Sequence, residues 1–242
     1  MILAAAQLRS QAGDVAFNID RHLEFADEAK RNDVDIIVFP ELSLSGYEPT
    51  LAADLETTAD DERFETLRTH AQSLAMTICA GMPLRTIGKP EIGMIVWHPN
   101  GHFETYAKQI LHEDELPFFS SGKRELTILI AEQCLVPAIC YESLQPGHAE
   151  AAFESGATLY LASVAKPESG MQRAFAHYPV IAEQYGMTVI IANAVGPSDN
   201  FVSVGQSAVW NSTGECLGKC SENDEALLVA DMRNGDVKIL DL

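Results

Sequence analysis

The chain has 242 residues, 47% of them hydrophobic and 21% charged, a composition that buries a large core and excludes disordered and fibrous classes. Its 35 acidic residues against 16 basic ones leave a formal charge of -19, which repels a phosphate backbone or an anionic membrane surface, so no nucleic-acid or membrane partner is expected. The length suits one domain over residues 1–242.

Residues 1–7 are apolar but lack a positive leader and meet polar residues too soon for a signal peptide or a membrane span; they read as a first buried strand. Asn18 is placed to cap a helix whose apolar positions Ile19, Leu23, Ala26 and Ala29 recur at helical spacing. The apolar run from Ile36 to Phe39 predicts a buried strand that stops at Pro40-Glu41. Phe64, Leu67, Ala71 and Leu74 predict a helix within 60–76, followed by a strand from Ile78 to Met82. Residues 93–97 and 103–106 flank a Pro99-Asn100-Gly101 turn and predict a hairpin, with Lys108 just beyond it.

Residues 109–124 form a connection long enough to be either functional or mobile. Strands at 126–130 and 134–140, a helix at 147–155, a strand at 158–162, a helix at 171–185 and a strand at 188–195 follow. The end differs, since residues 207–210, the Asn211-Gly214 turn and residues 226–229 read as antiparallel strands closing a sheet, the last one ending near 231. Two α/β halves with hairpins predict two sheets packed face to face.

Five cysteines, an odd number, are too sparse for a disulfide framework and predict free thiols in a reducing cytoplasm. Cys216 and Cys220 are close enough for a metal pair, but no second His or Cys pair completes a tetrahedral set, so no metal is expected. Cys79 and Cys134 read as core residues. No glycine-rich phosphate loop occurs, so no nucleotide cofactor is expected. None of the seven histidines sits in a recognisable partner motif; His112, His148 and His177 are candidates only for a pocket rim.

Glu41, Lys108 and Cys140 each follow an apolar strand, and in α/β sheets ligands gather at the carboxyl ends of strands. Taken singly, such residues are usually solvated or packed. Their chemistry is complementary: a thiol must ionise to attack an amide carbon, a carboxylate can take its proton, and an ammonium can hold the oxyanion that forms.

The segments Phe39-Pro40-Glu41-Leu42-Ser43-Leu44-Ser45-Gly46-Tyr47, Tyr106-Ala107-Lys108-Gln109-Ile110-Leu111 and Ala138-Ile139-Cys140-Tyr141-Glu142, in this order, resemble the nitrilase or carbon-nitrogen hydrolase superfamily. The chain is similar to a short amidase-type member from Gln7 to about Asp231, including Ala182-Glu183 and Ala192-Asn193. Ala107 and Ile110 depart from the Arg and His usual in the family. The resemblance implies a four-layer α-β-β-α sandwich, a homodimer paired through a helix layer, and no cofactor. It implies hydrolysis of a small acid amide, with Cys140 as nucleophile, Glu41 as base and Lys108 with the Tyr141 amide as oxyanion donors. It also implies a second glutamate supporting Lys108: Glu115 fits the position ahead of Phe118-Phe119 and Gly122, with Glu113 and Asp114 as competitors. Tyr47 is expected at the pocket mouth, and Ser163, ending its strand, is placed to approach the substrate. Lys166, in the loop at 165–170, faces either a substrate carboxylate or solvent. An N-carbamoyl amidohydrolase and a noncatalytic binding module with the same fold are the rival functions.

Overall fold

A computed structural model describes all 242 residues. Its first half runs β1 (Ile2–Gln7), α1 (Val15–Arg31), β2 (Ile36–Val38), α2 (Ala52–Leu55), α3 (Glu65–Ser73), β3 (Thr77–Leu84), β4 (Glu91–Trp97) and β5 (Phe103–Ala107). The second half runs β6 (Ile128–Ile130), β7 (Gln133–Ile139), α4 (Pro146–Glu154), β8 (Leu159–Val164), α5 (Glu168–Tyr185), β9 (Thr188–Asn193), β10 (Val195–Ser198), β11 (Phe201–Val204), β12 (Ala208–Trp210), β13 (Cys216–Lys219), β14 (Ala226–Asp231) and β15 (Asp236–Asp241). One sheet has the order β15-β14-β1-β2-β3-β4-β5 and the other β13-β12-β9-β8-β7-β6.

Side-chain alternation along the strands decides the layering. On β1, Leu3 and Ala5 face a core shared with Leu159 and Leu161 of β8, so the two sheets pack face to face. The intervening Ala4 and Ala6 face α1 and α3 on the outside of the first sheet. On β8, Tyr160 and Ala162 face α4 and α5 outside the second. The strands are therefore apolar on both faces, and the result is the expected four-layer α-β-β-α sandwich. No helix is long and apolar enough to cross a membrane.

Three local expectations need correction. Asp14, not Asn18, caps α1: its Oδ1 accepts from the Phe17 amide at 3.1 Å. Asn18 is buried one turn in, where its amide donates to the Gln11 and Leu44 carbonyls at 2.9 and 3.0 Å. Its neighbour His22 lies 2.9 Å from the Ser43 hydroxyl, and burial holds its pKa down to about 3, so the ring is neutral. Together they fasten α1 to the loop carrying Glu41. Second, the strand ending at Asp231 is not the last; β15 pairs antiparallel with all of β14. Asp236, Lys238 and Asp241 break up its apolar residues and none of the six is buried, so it offers no sustained hydrophobic run. Third, Cys134 is only half-buried, whereas Cys79 lies in the core.

Candidate active site

β2 releases its chain into a tight turn that carries Glu41. Phe39 still donates to the Cys79 carbonyl at 2.9 Å, and Leu44 donates to the Gly81 carbonyl at 2.9 Å, so the turn rests on β3. Leu42 takes a left-handed backbone conformation, φ 52°. Glu41 is thereby turned inward and is 2% exposed. Its Oε1 accepts from Lys108 Nζ at 2.8 Å, and its Oε2 is buried without a hydrogen-bond partner.

Lys108 follows β5 and is fully buried. Its amide donates to the Ile92 carbonyl at 2.9 Å, and its carbonyl accepts from Gly122 at 2.8 Å. Gly122 permits this clasp because a Cβ there would come within 2.7 Å of the Ala107 carbonyl carbon. Lys108 Nζ also donates to Glu115 Oε1 at 2.6 Å. Glu115 is in turn held by the Tyr47 hydroxyl at 3.0 Å and by the His112 amide at 2.7 Å. Of the three acidic candidates, Glu115 is the one that meets Lys108, while Glu113 and Asp114 are exposed. Phe119 in the inter-sheet core pins this connection from behind.

Cys140 ends β7 in a left-handed conformation, φ 49°, a strained position for a side chain that must point out of a strand. Its amide donates to the Ser163 carbonyl at 3.0 Å, and its carbonyl accepts from the Ser143 hydroxyl at 2.5 Å. Glu142 fixes the elbow. Its Oε1 accepts from the Ile139 amide at 2.7 Å and the Tyr106 hydroxyl at 2.8 Å, while Oε2 accepts from the Gln109 and Ile110 amides at 2.6 and 3.2 Å. One buried carboxylate therefore ties the Cys140 segment to the Lys108 segment. Three of its four donors are backbone amides and the fourth is Tyr106, so Ala107 and Ile110 need no polar side chains for the purpose.

The Cys140 sulfur opens on a cavity of about 400 Å³ lined among others by Tyr47, Glu115, Tyr141, Lys166, Arg173 and Phe201. His112 and His177 also line it. His148 does not: its ring lies 2.7 Å from the Tyr160 hydroxyl and 2.9 Å from that of Tyr106, beside a separate cavity. Ser163 lies beneath the site, with its hydroxyl donating to the Phe39 carbonyl at 2.8 Å. It joins the Glu41 turn to the Cys140 elbow instead of facing the cavity.

Burial pushes the Glu41 carboxyl up to about 7, and Lys108 only partly opposes it. Burial also pushes the Cys140 thiol up to about 11, with ionised Glu41 adding to the rise and Lys166 and Lys108 opposing it. Lys108 behaves differently: burial alone would lower its pKa, but Glu41, Cys140 and Glu115 outweigh burial and keep it an ammonium. Such a set can pass a proton between sulfur and carboxylate beside a fixed positive charge.

Glu142 has no role assigned from the sequence, and Lys166 is read there only as facing a substrate carboxylate or solvent. Glu142 lies inside the Cys140 motif without a sequence signal of its own, because hydrogen bonds from three backbone amides and the Tyr106 hydroxyl leave no pattern in the sequence. Lys166 had a usable signal, since it too follows a strand of the second sheet. The structure puts its Nζ 3.5 Å from Cys140 Sγ.

The NitN amidase from Nesterenkonia sp. AN1 has the same fold, with a TM-score of 0.88 at 24% identity, covering 97% of this chain and 93% of that one. A variant of that amidase with acrylamide added at its active-site cysteine gives 0.88 at 24% identity over 96% and 93%. The glutamine-dependent NAD(+) synthetase of Aquifex aeolicus is 27% identical over 252 residues, 99% of this chain but 44% of the synthetase. The (R)-stereoselective amidase of Pseudomonas sp is 26% identical over 230 residues, 93% of this chain and 82% of the amidase. The chain spans less than half the length of the synthetase relatives it matches. The family model for carbon-nitrogen hydrolases matches residues 2–239, nearly the whole sequence, and the chain belongs to that family.

Proposed function

We propose that the protein hydrolyses the amide bond of a small carboxylic or dicarboxylic acid amide through a thioester on Cys140. The supporting observation is the buried bridge in which Lys108 Nζ holds Glu41 at 2.8 Å and Glu115 at 2.6 Å, next to the cavity that exposes Cys140. Glu41 Oε2 is the free acceptor for the thiol proton. The sulfur then attacks the carbonyl carbon. An ammonium has three donors; two of those of Lys108 go to the glutamates, and the third, with the Tyr141 amide, serves the developing oxyanion. Each such donor contributes roughly 3 to 4 kcal/mol to the transition state. The amine departs with the proton from Glu41, and Glu41 next deprotonates a water that cleaves the thioester. These residues fill every role, so the reaction needs no added cofactor.

The names of the relatives support an amide: one is a stereoselective amidase and another is glutamine-dependent. The test is mass spectrometry of the protein with a panel of aliphatic amides, glutamine and N-carbamoyl compounds, together with ammonia and carbon dioxide release. An acyl adduct on Cys140 with ammonia but no carbon dioxide is the expected result. Carbon dioxide would identify a carbamoyl substrate, and a folded protein that forms no adduct and releases no ammonia would point to the noncatalytic module. A homodimer is part of the same proposal; the apolar Phe153 and Val180, 49% and 55% exposed on α4 and α5, support pairing through that helix layer, which light scattering tests. The five free thiols support a cytoplasmic location.

A further inference from the structure

Among the buried acidic and basic side chains, Glu41, Lys108 and Glu115 pair with one another. Glu142 is saturated by its four donors. Lys166 is the exception: it is 4% exposed, yet no carboxylate lies within ion-pair distance of it. Its Nζ instead donates to the Cys140 carbonyl at 3.4 Å and to the Cys140 sulfur at 3.5 Å. A buried ammonium without an anion is costly.

The position is built and not incidental. The Lys166 amide donates to Asn193 Oδ1 at 2.8 Å, and its carbonyl accepts from Asn193 Nδ2 and the Val204 amide, both at 3.2 Å. Its aliphatic stem runs over the first turn of α5, where a Cβ on residue 170 would stand 3.1 Å from Lys166 Cβ. Gly170 leaves the room. The ammonium is thereby held against the elbow, at the wall of the cavity on which the sulfur opens.

We propose that Lys166 is the counter-ion of the Cys140 thiolate. This rests on Cys140 being the nucleophile. While the thiol is protonated and Glu41 ionised, Lys108 faces two carboxylates and Lys166 faces none. When the proton passes from Sγ to Glu41 Oε2, the total charge is unchanged, but Lys108 is left with Glu115 and Lys166 gains the sulfur. Each cation then faces one anion, so Lys166 favours the reactive arrangement of the same proton. At a separation of 3.5 Å, with Lys166 only 4% exposed, that attraction outweighs what a fully exposed pair would give.

The test is the pH dependence of Cys140 alkylation by iodoacetamide, with the site of modification read by mass spectrometry. The groups around the sulfur are Glu41, Lys108, Glu115, Tyr47 and Tyr178, with His112, Asp114, Tyr141, Arg173 and His177 around the cavity. The two tyrosines are pushed well above their usual range by burial and stay neutral. Lys166→Met is expected to raise the alkylation midpoint by about one pH unit or more, with Lys166→Arg returning it toward wild type. The same rise must appear in His112→Asn and His177→Asn backgrounds, which removes either imidazole as its source. Because Lys166→Met removes a buried unpaired charge, its melting temperature should not fall; Lys166→Gln provides a second neutral variant. An unchanged midpoint in both neutral variants overturns the proposal, and does so equally if KM rises only for amides that bear a carboxylate. Wild-type Cys140 that resists alkylation at every pH would instead overturn its role as nucleophile.

Discussion

Leu42 lies backbone to backbone on Gly81: a Cβ on residue 81 would stand 2.9 Å from Leu42 Cα and closer still to its amide nitrogen. The turn that aims Glu41 therefore has β3 as its floor. Gly81→Ala must lift that floor, and overpacking of this kind costs roughly 1 to 3 kcal/mol. We expect a lower urea midpoint and a fall in kcat larger than that of an alanine substitution elsewhere on β3, because Glu41 moves with the turn. Unfolding curves and kinetics on any working amide check both.

Cys140→Ala and Cys140→Ser should abolish turnover while the far-ultraviolet spectrum and melting temperature stay close to wild type. The thiol is small and only partly buried at the edge of the inter-sheet and outer cores, with its sulfur 3.8 Å from the Ala165 carbonyl and 3.5 Å from Lys166 Nζ, so alanine or serine leaves little empty volume. Relief of the left-handed backbone is not offered by alanine, so no large stabilisation is expected. Cys134 and Cys216, half-buried and exposed, should tolerate serine with activity retained. Steady-state assays of the four variants decide the matter.

Which parts of this were legible in the sequence follows from what each residue interacts with. The sheets were visible because Ile36, Ile37 and Val38 form an unbroken apolar run, as strands covered on both faces must. Glu41, Lys108 and Cys140 stood out because polar side chains interrupt such runs at strand ends. The β10–β11 hairpin, Val195 to Val204, was not anticipated: its strands carry Gly196, Pro197 and Ser203, which read as a loop. Ser163 was correctly placed at a strand end but on the wrong side of it, since one residue of alternation separates the cavity from the layer beneath.

Glu142 links two segments that each carry a proposed catalytic residue, and its oxygens face donors only. Glu142→Gln would replace one acceptor by an amide that meets an N–H or O–H head on. Leaving buried donors without acceptors costs roughly 1 to 3 kcal/mol, so the variant should melt earlier and lose kcat. Tyr106→Phe removes one donor and leaves the acceptors in place, and its effect should be smaller. Thermal melts and kcat measured side by side for both variants test the ranking.

The pH profile carries the sign of the Glu41 shift. A general base must be ionised, and burial raises this carboxyl to about 7. The acid limb of kcat/KM should accordingly fall near neutrality, well above the 4.5 of an ordinary glutamate. Lys108, raised by its anionic neighbours, stays charged and contributes no alkaline limb in the working range. Stability follows the same linkage: a raised carboxyl favours the folded state at pH below 4.5, and that contribution is lost as the pH rises through about 7. Glu41→Gln should flatten the difference in melting temperature across that window.

If Glu41 and Lys108 act as one unit around the same carbonyl, their losses should not add. Glu41→Gln removes the proton acceptor and slows thioester formation. Lys108→Ala withdraws a donor from the tetrahedral species in both half-reactions, and also strips Glu41 and Glu115 of the cation that holds them at 2.8 and 2.6 Å. Once either is gone, the other has little left to contribute, so the double variant should be about as slow as the worse single one. Lys108→Met separates the two effects of the lysine, because it keeps the buried volume while removing the charge. Single-turnover measurements of acylation and of adduct decay supply the four rates of the cycle. Additive losses would mean that the buried bridge is a structural ion pair and that the oxyanion is held by other donors.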